Sequence, residues 1–458
     1  MALTVSLDDI VAGGNSLLAV KPHWQRVRLG DVGQVLNGYA FKAELFTREG
    51  GMPLIRIRDV GSAASETFFS GDYDERYVVS AGDLLVGMDG DFNCARWHGP
   101  RSLLNQRVCK ITVDEALYLP RFLDYVLPGY LKAINDATSS ITVKHLSSRT
   151  IQDIPLPLPP MEEQREIVAE LEKQFSRLDE AVANLQRVKA NLKRYKASVL
   201  KAAVEGRVVE TEATLARREG CTYETGAQLL QRILEERSVK WAGRGKWKAP
   251  ELPAADTTLP DGWAWASIDQ LADVGTGATP KRDKAAYWND GDVPWVTSSV
   301  VNDDFVDEAS ELVTTLALAE TNLTLYPTGT LLIAMYGEGK TRGKCTELRI
   351  PAATNQALAA LQVDSSVRGY LRHFLELNYA EMRKVAAGGV QPNLNLSLVR
   401  SVCVPLPPLA EQTRIVAEVD RHLSIVREVE AEVDTNLKRA QALRQATLAK
   451  AFQGDQCE

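Results

Sequence analysis

The tract Pro157-Leu158-Pro159-Pro160, followed by Glu163-Gln164 and Ile167-Val168-Ala169-Glu170, returns 248 residues later (Pro157 to Pro405) as Pro405-Leu406-Pro407-Pro408, Glu411-Gln412 and Ile415-Val416-Ala417-Glu418. Upstream, Gly82-Asp83-Leu84-Leu85-Val86-Gly87-Met88 is echoed by Gly329-Thr330-Leu331-Leu332-Ile333-Ala334-Met335, and Asn105-Gln106 by Asn355-Gln356. A period this long means two copies of one domain, because solenoids repeat every 20–50 residues or so. Within each copy, residues 52–60 (MPLIRIRDV) and 293–301 (VPWVTSSVV) are β-rich runs, and helical patterns follow over 118–133 and 366–385. Each copy therefore predicts an α+β module that ends in a helix.

After each PLPP the apolar spacing becomes strictly threes and fours. It runs Leu171, Phe175, Leu178, Val182, Leu185, Val188, Leu192, Tyr195, Val199, Ala202 in the first copy. In the second it runs Val419, Leu423, Val426, Val429, Val433, Leu437, Ala440, Leu443, then toward Phe452. Such a seam is coiled-coil-like and requires a partner. An unbroken helix over 162–205 would be about 65 Å long, more than a compact domain needs, so it reads as a spacer. The double proline suits a helix start, since the first turn has no use for the missing N–H. Expected segments are 1–155 and 259–404 as modules, 156–210 and 405–458 as helical spacers, and 211–258 as a linker. The linker holds a short helix over 225–238 and a basic stretch with Trp241, Arg244 and Trp247.

Composition narrows the function. Hydrophobic residues at 45% and charged residues at 25% fit a folded chain, and the start MALTVSLDDIV lacks a signal peptide's basic-then-apolar order. A cytoplasmic protein without a membrane partner is expected. Six scattered cysteines, Cys94, Cys109, Cys221, Cys345, Cys403 and Cys457, form no CxxC pair, and no metal site is expected. The net charge of −7 counts against a nucleic-acid binder, although a local basic face is all that phosphate contact requires.

Two unlike modules, each ending in PLPP..EQ..IV.E and a long helix, resemble the specificity subunit of type I restriction-modification systems. Gly38-Tyr39-Ala40-Phe41-Lys42 and Pro53 through Val60 in the first module, with Gly277-Ala278-Thr279-Pro280-Lys281 and Pro294 through Val300 in the second, resemble the same family segments. So do Lys144-His145-Leu146-Ser147 and Asn393 through Ser397. The likeness covers nearly the whole chain. It implies two target-recognition domains, each reading half of a split double-stranded DNA site, with the two helices paired as an antiparallel coiled coil. It also implies two methyltransferase subunits that methylate adenine N6 with S-adenosylmethionine, and restriction subunits that use ATP and Mg. No cofactor is expected on this chain.

No catalytic set is found: no NPPY tetrad, no nuclease or helicase motifs, and Gly339-Lys340-Thr341 fails as a phosphate loop because the motif's first glycine is Ala334. Base readout calls for Arg, Lys, Asn or Gln on loops that reach a groove. Candidates are Lys42, Arg56, Arg58, Asn93, Arg96, Arg101 and Lys144, then Lys281, Arg282, Lys284, Tyr287, Thr297, Ser298, Lys340, Arg342 and Lys344. For each, an ordinary solvated or paired surface charge is an equal alternative. Asn105-Gln106 and Asn355-Gln356, being common to both modules, are expected to satisfy backbone or dock DNA generally rather than specify a base. Two other readings stay open: a non-DNA scaffold of two binding modules on a helical rod, and a single-chain restriction-methyltransferase lacking its catalytic half.

Overall fold

The structure, a computed structural model, describes residues 6–453 apart from 14–17, 139–143, 242–245, 254–257, 337–340 and 388–392. It is α+β. Two compact units divide the chain: Met1–Gln186 with Asp434–Glu458, and Arg187–Val433.

In the first unit, strands run in the order Gly33–Asn37, Val108–Val113, Leu84–Gly87, Cys94–Arg96, every neighbour antiparallel. A second sheet carries the parallel pair Met52–Ile55 and Ser102–Leu104. The second unit repeats this plan. Ala272–Thr276, Leu358–Val363, Leu331–Ala334 and Cys345–Leu348 follow in the same order, and Val293–Val296 lies parallel to Ala352–Thr354. The repeated apolar run is the buried strand of each first sheet. Leu84 and Val86 face a core with Phe122, Leu123 and Leu127 of the helix Pro120–Ala137, whereas Leu85 faces Ile55, Trp97 and Leu104. Leu331 and Ile333 likewise face Tyr370, Leu371 and Leu375 of the helix Ser365–Ala387, whereas Leu332 and Ala334 face Val296 and Leu348. Side chains alternate between two cores along one strand, so neither face can be polar and the sequence shows no alternation.

The proline tract does more than start a helix. Pro155–Leu158 pairs antiparallel with Gln25–Arg28, and Cys403–Leu406 with Ala264–Ser267. Two-stranded ribbons of this kind tolerate proline, which cannot donate to a ladder. The helices Met161–Val204 and Leu409–Gln453 follow. Gln164 turns back, its Nε2 donating to the Pro159 carbonyl at 3.0 Å, while Gln412 Nε2 donates to that of Pro407 at 2.8 Å. Glu163 accepts from Trp24 Nε1 at 2.9 Å and from Lys21 Nζ at 2.8 Å. Glu411 accepts from Trp263 Nε1 and from the Glu212 backbone N–H, both at 2.9 Å. The glutamate thus ties the start of each long helix to the segment that opens its module, while the glutamine folds back on its own proline tract.

Just past the end of the first long helix at Val204, Gly206 turns the chain with a φ of 67° that suits glycine, and Arg207 N donates to Ala202 O at 2.8 Å. Along the seams, Leu171, Phe175, Val199, Val419, Leu423, Val426 and Val433 are buried, and Leu178, Val182, Leu185, Leu192 and Leu437 are half-buried. Three positions of the expected seam are exposed instead: Val188, Tyr195 and Leu443, the last at 56%.

Other expectations are also corrected. The runs over 52–60 and 293–301 stop being strands at Ile55 and Val296 and tighten into 3₁₀ turns, Ile57–Asp59 and Ser298–Asn302. In the first, the buried Asp59 carboxylate accepts the Arg56 N–H at 2.9 Å, offering the backbone a local alternative to a ladder. The tract after the first long helix forms two helices, Glu212–Glu219 and Gly226–Val239, rather than one. Thr225 and Gln228 form a capping box on the second, and Leu229 and Ile233 enter the core, so this tract is packed into its unit.

Candidate nucleic-acid interface

In both modules one loop rests on the backbone of the Asn-Gln turn. Gly38 N donates to Val108 O at 3.0 Å and Tyr39 N to Leu104 O at 2.9 Å. A Cβ on Gly38 would lie 2.1 Å from the Asn105 carbonyl oxygen, and one on Gly277 would lie 1.7 Å from that of Thr354. The glycine is therefore required by close approach, not by its φ. Asn105 Oδ1 accepts from Gln106 N at 2.9 Å, Asn355 Oδ1 accepts from Ala357 N at 3.1 Å, and Gln356 Oε1 accepts from Thr279 Oγ1 at 2.7 Å. Both asparagines thus satisfy backbone, as their presence in both modules suggests. Gly277→Ala should cost about 1–3 kcal/mol through forced backbone displacement. Thermal unfolding of the full chain checks this, and an unchanged transition would show that the loop yields.

The loop that leaves Gly38 carries Tyr39, 51% exposed, its ring 5.1 Å from Phe41 and 5.2 Å from Tyr77. Lys42 is exposed just beyond it, as are Arg56, Arg58 and Asn93. Arg101 is exposed and pairs with Glu75 at 2.7 Å. Two candidates are occupied within the module. Arg96 donates to Asp124 at 2.6 Å and to the Pro120 and Gly82 carbonyls, fastening its strand to the helix Pro120–Ala137. Lys144 Nζ donates to Asn135 O at 2.7 Å and Oδ1 at 2.9 Å.

In the second module, Lys281 is exposed and Arg282 lies over Trp288, its guanidinium carbon 3.9 Å from the ring centroid. Lys284 Nζ sits 4.0 Å over the Tyr287 ring and donates to Glu320 at 2.5 Å; that hydrogen bond, then the one to Tyr287, raises its pKa. Tyr287 itself is buried, packed with Val293 and Trp295, and donates its hydroxyl to Glu320 at 2.9 Å. That places its ring in the core, not on a reading surface. Thr297 and Ser298 are half-buried at the 3₁₀ turn, Thr297 Oγ1 lying 2.9 Å from Ser299 Oγ. Lys344 Nζ donates to Asn302 Oδ1 at 2.9 Å, and half-buried Arg342 accepts on its carbonyl from Arg383. Lys340 lies outside the described residues, as does Arg244. Sequence reasoning missed Trp288, Trp295 and Glu311, which hold Arg282; the signal available was two tryptophans seven positions apart beside a Lys-Arg loop.

Ionisable groups lining the first unit's cavity pair with one another. A cavity of about 800 Å³ in the first unit is lined by Arg96, Arg121, Asp124, Glu172, Asp179 and Arg444. These pair as Arg96–Asp124, Arg121–Glu172 and Arg444–Asp179, at 2.6, 2.9 and 2.6 Å. Burial pushes the Cys109 and Cys345 thiols up to about 12, which makes them poor nucleophiles. Among the described residues no His, Cys, Asp or Glu group could hold a metal ion, and no helix is long and apolar enough to cross a membrane.

A family model described as the type I restriction modification DNA specificity domain matches residues 22–193 and 260–438. The chain is 32% identical to the specificity subunit of the Escherichia coli type I restriction enzyme EcoBI, covering 96% of this chain and 88% of that one. It is 23% identical to the EcoDI specificity subunit, also of Escherichia coli, covering 94% and 88%. Among solved structures, a chain from work on complex assembly and conformational transition of the type I R-M system superposes with a TM-score of 0.61 at 20% identity, covering 95% of this chain and 99% of that one.

Proposed function

Since this chain belongs to the type I restriction-modification DNA specificity family, we propose that it is the non-catalytic subunit that reads a split double-stranded DNA site, one half per module. The observation that carries this reading is the duplication: two modules share the order of four strands in their first sheets while the loops leaving Gly38 and Gly277 differ in every exposed side chain but a lysine, Lys42 and Lys281. A shared scaffold with divergent exposed loops is what reading two different half-sites calls for. The candidate contacts are Lys42, Arg56, Arg58, Asn93 and Arg101 in one module and Lys281, Arg282 and Lys284 in the other.

In this proposal the long helices pair antiparallel and act as the ruler between half-sites, which fall about one helical turn, roughly 10 base pairs, apart. Contacts within each unit support that pairing. Arg444 reaches Asp179 in the first, and Tyr195 meets His422 at 2.7 Å in the second, so higher numbers on one helix go with lower numbers on the other. The chemistry belongs to partners: two methyltransferase subunits that flip adenine and methylate N6 with S-adenosylmethionine, and restriction subunits that use ATP and Mg. A DNA-reading role puts the chain in the cytoplasm.

Coexpression with the neighbouring methyltransferase gene, followed by genome-wide mapping of N6-methyladenine, tests the reading. One split motif that vanishes when this chain is deleted is the expected result. Unchanged methylation, with the complex shown to assemble, would instead favour a protein scaffold.

A further inference from the structure

Arg282 has its side chain oriented both by aromatic rings and by a carboxylate that takes two of its nitrogens. Its guanidinium lies 3.9 Å over the Trp288 ring and 5.1 Å from that of Trp295. The two rings meet edge to face at 5.3 Å and 89°. Both are fixed to the loop itself: Trp288 Nε1 donates to the Lys281 carbonyl at 3.0 Å and Trp295 Nε1 to that of Ala278 at 3.1 Å. Glu311 then takes Nη1 and Nη2, the latter at 3.2 Å, so the plane is fixed as well as its position. The side chain is nevertheless 55% exposed.

A phosphate contact requires a positive charge but no fixed plane, and a carboxylate beside it repels the phosphate. Glu311 therefore disfavours that use of Arg282, whereas exposed Lys281 next to it suits a phosphate. The edge of a base pair carries no formal charge and rewards a planar fork, which here is the Nε side of the guanidinium, since Glu311 grips Nη1 and Nη2 end-on. Guanine, with O6 and N7 side by side in the major groove, is the base such a fork matches. The corresponding loop of the first module has no equivalent: after Gly38 it presents Tyr39, resting on Phe41 and Tyr77. Resting on the DNA-reading role above, we propose that Arg282 reads a guanine in the half-site of the second module, and that Trp288 and Glu311 are the positioning residues that hold its fork.

The test uses the chain assembled with its methyltransferase and duplexes carrying the mapped site. Guanines are replaced one at a time by 7-deazaguanine, which keeps the Watson–Crick pair and removes N7. At one position of one half-site this should weaken binding by the native complex roughly tenfold. Arg282→Ala should lose about ten- to a hundredfold on the natural site, accept any base at that position, and no longer sense the substitution. Arg282→Lys, which keeps the charge but not the fork, should behave the same way and gives the answer if the alanine variant unfolds. Insensitivity of the native complex to 7-deazaguanine throughout both halves overturns the proposal. So does a uniform loss across all sequences with a shallower salt dependence, the mark of a phosphate contact. A native complex that prefers no site at all would overturn the DNA-reading role instead.

Discussion

Glu411→Ala is expected to destabilise the second unit by about 2–6 kcal/mol, because it leaves one buried and one part-buried donor without an acceptor at about 1–3 kcal/mol each. Those donors are Trp263 Nε1 and the Glu212 backbone N–H, and Glu411 is fully buried between them. On a unit of this size the melting temperature should fall by about 2–4 °C for each kcal/mol. The matching change in the first unit, Glu163→Ala, should cost less, since Glu163 is half-buried and its second partner is a lysine that water can solvate. The two glutamates should also respond to pH in opposite senses. Burial raises the pKa of Glu411 despite its hydrogen bonds, so the protonation-linked part of its contribution is fully present below about 4.5, the ordinary value, and is lost as pH rises through the raised one. Burial also works against Glu163, but Lys21 and Trp24 outweigh it and lower its pKa, so its contribution holds above 4.5 and is lost as pH falls through the lowered one. Thermal scans of the full chain and both variants across pH 3–7 would show the two units diverging. Equal losses and parallel pH profiles would mean that the repeated motif sits in equivalent surroundings.

That asymmetry could not be read from the sequence, in which Pro-Pro-x-x-Glu-Gln is the same device twice. What was legible was whatever depends on spacing along the chain. The 248-residue period (Pro157 to Pro405) gave two modules, and threes and fours after each PLPP gave the long helices. Asn-Gln in both copies pointed to a backbone role. What was not legible depends on groups far apart in sequence meeting in space. Trp24 and Trp263 reach Glu163 and Glu411 across 139 and 148 residues, and Glu311 reaches Arg282 across 29. Arg96 and Lys144 looked like Arg101 in sequence, yet the Asp124 carboxylate and carbonyl oxygens of their own module claim them. Tyr287 was misplaced for a related reason: a tyrosine in a basic loop can face outward or hold the loop down, and the Glu320 carboxylate that draws its hydroxyl inward lies 33 residues away. The strand run over 52–60 overran because β-propensity continues past the point where Asp59 captures a backbone donor, and that over 293–301 because it continues into the 3₁₀ turn Ser298–Asn302.

The second large effect is expected at His373, where the helix Ser365–Ala387 meets both long helices within the second unit. His373 is 2% exposed, with Nε2 2.9 Å from Asp420 of the terminal helix and Nδ1 3.9 Å from Glu376 of its own helix. Lys196 of the central helix holds Glu376 at 2.6 Å, while Arg372 lies 3.8 Å from Asp420 and 3.9 Å from Glu347. Burial alone would depress the imidazole, but the two carboxylates outweigh both burial and Arg372, so its pKa is raised above 6.5. Burial would likewise raise Glu376, yet His373 and Lys196 hold it down at about 2. The histidine's contribution is therefore complete below about pH 6.5 and is lost as pH rises through the raised value. That of Glu376 is complete above about 4.5 and is lost toward 2. The cluster should thus stabilise the second unit most between about pH 4.5 and 6.5. His373→Leu should cost roughly 3 kcal/mol at pH 6, the lower end for removing one partner of a buried charge network, because Asp420 is half exposed. The same variant should flatten the decline in stability from pH 6 to 8 that the native chain shows. Urea unfolding of the full chain at those two pH values decides the matter: a native chain no less stable at pH 8, or a variant that keeps the native slope, would mean that His373 is neutral in the fold and that its neighbours pair without it.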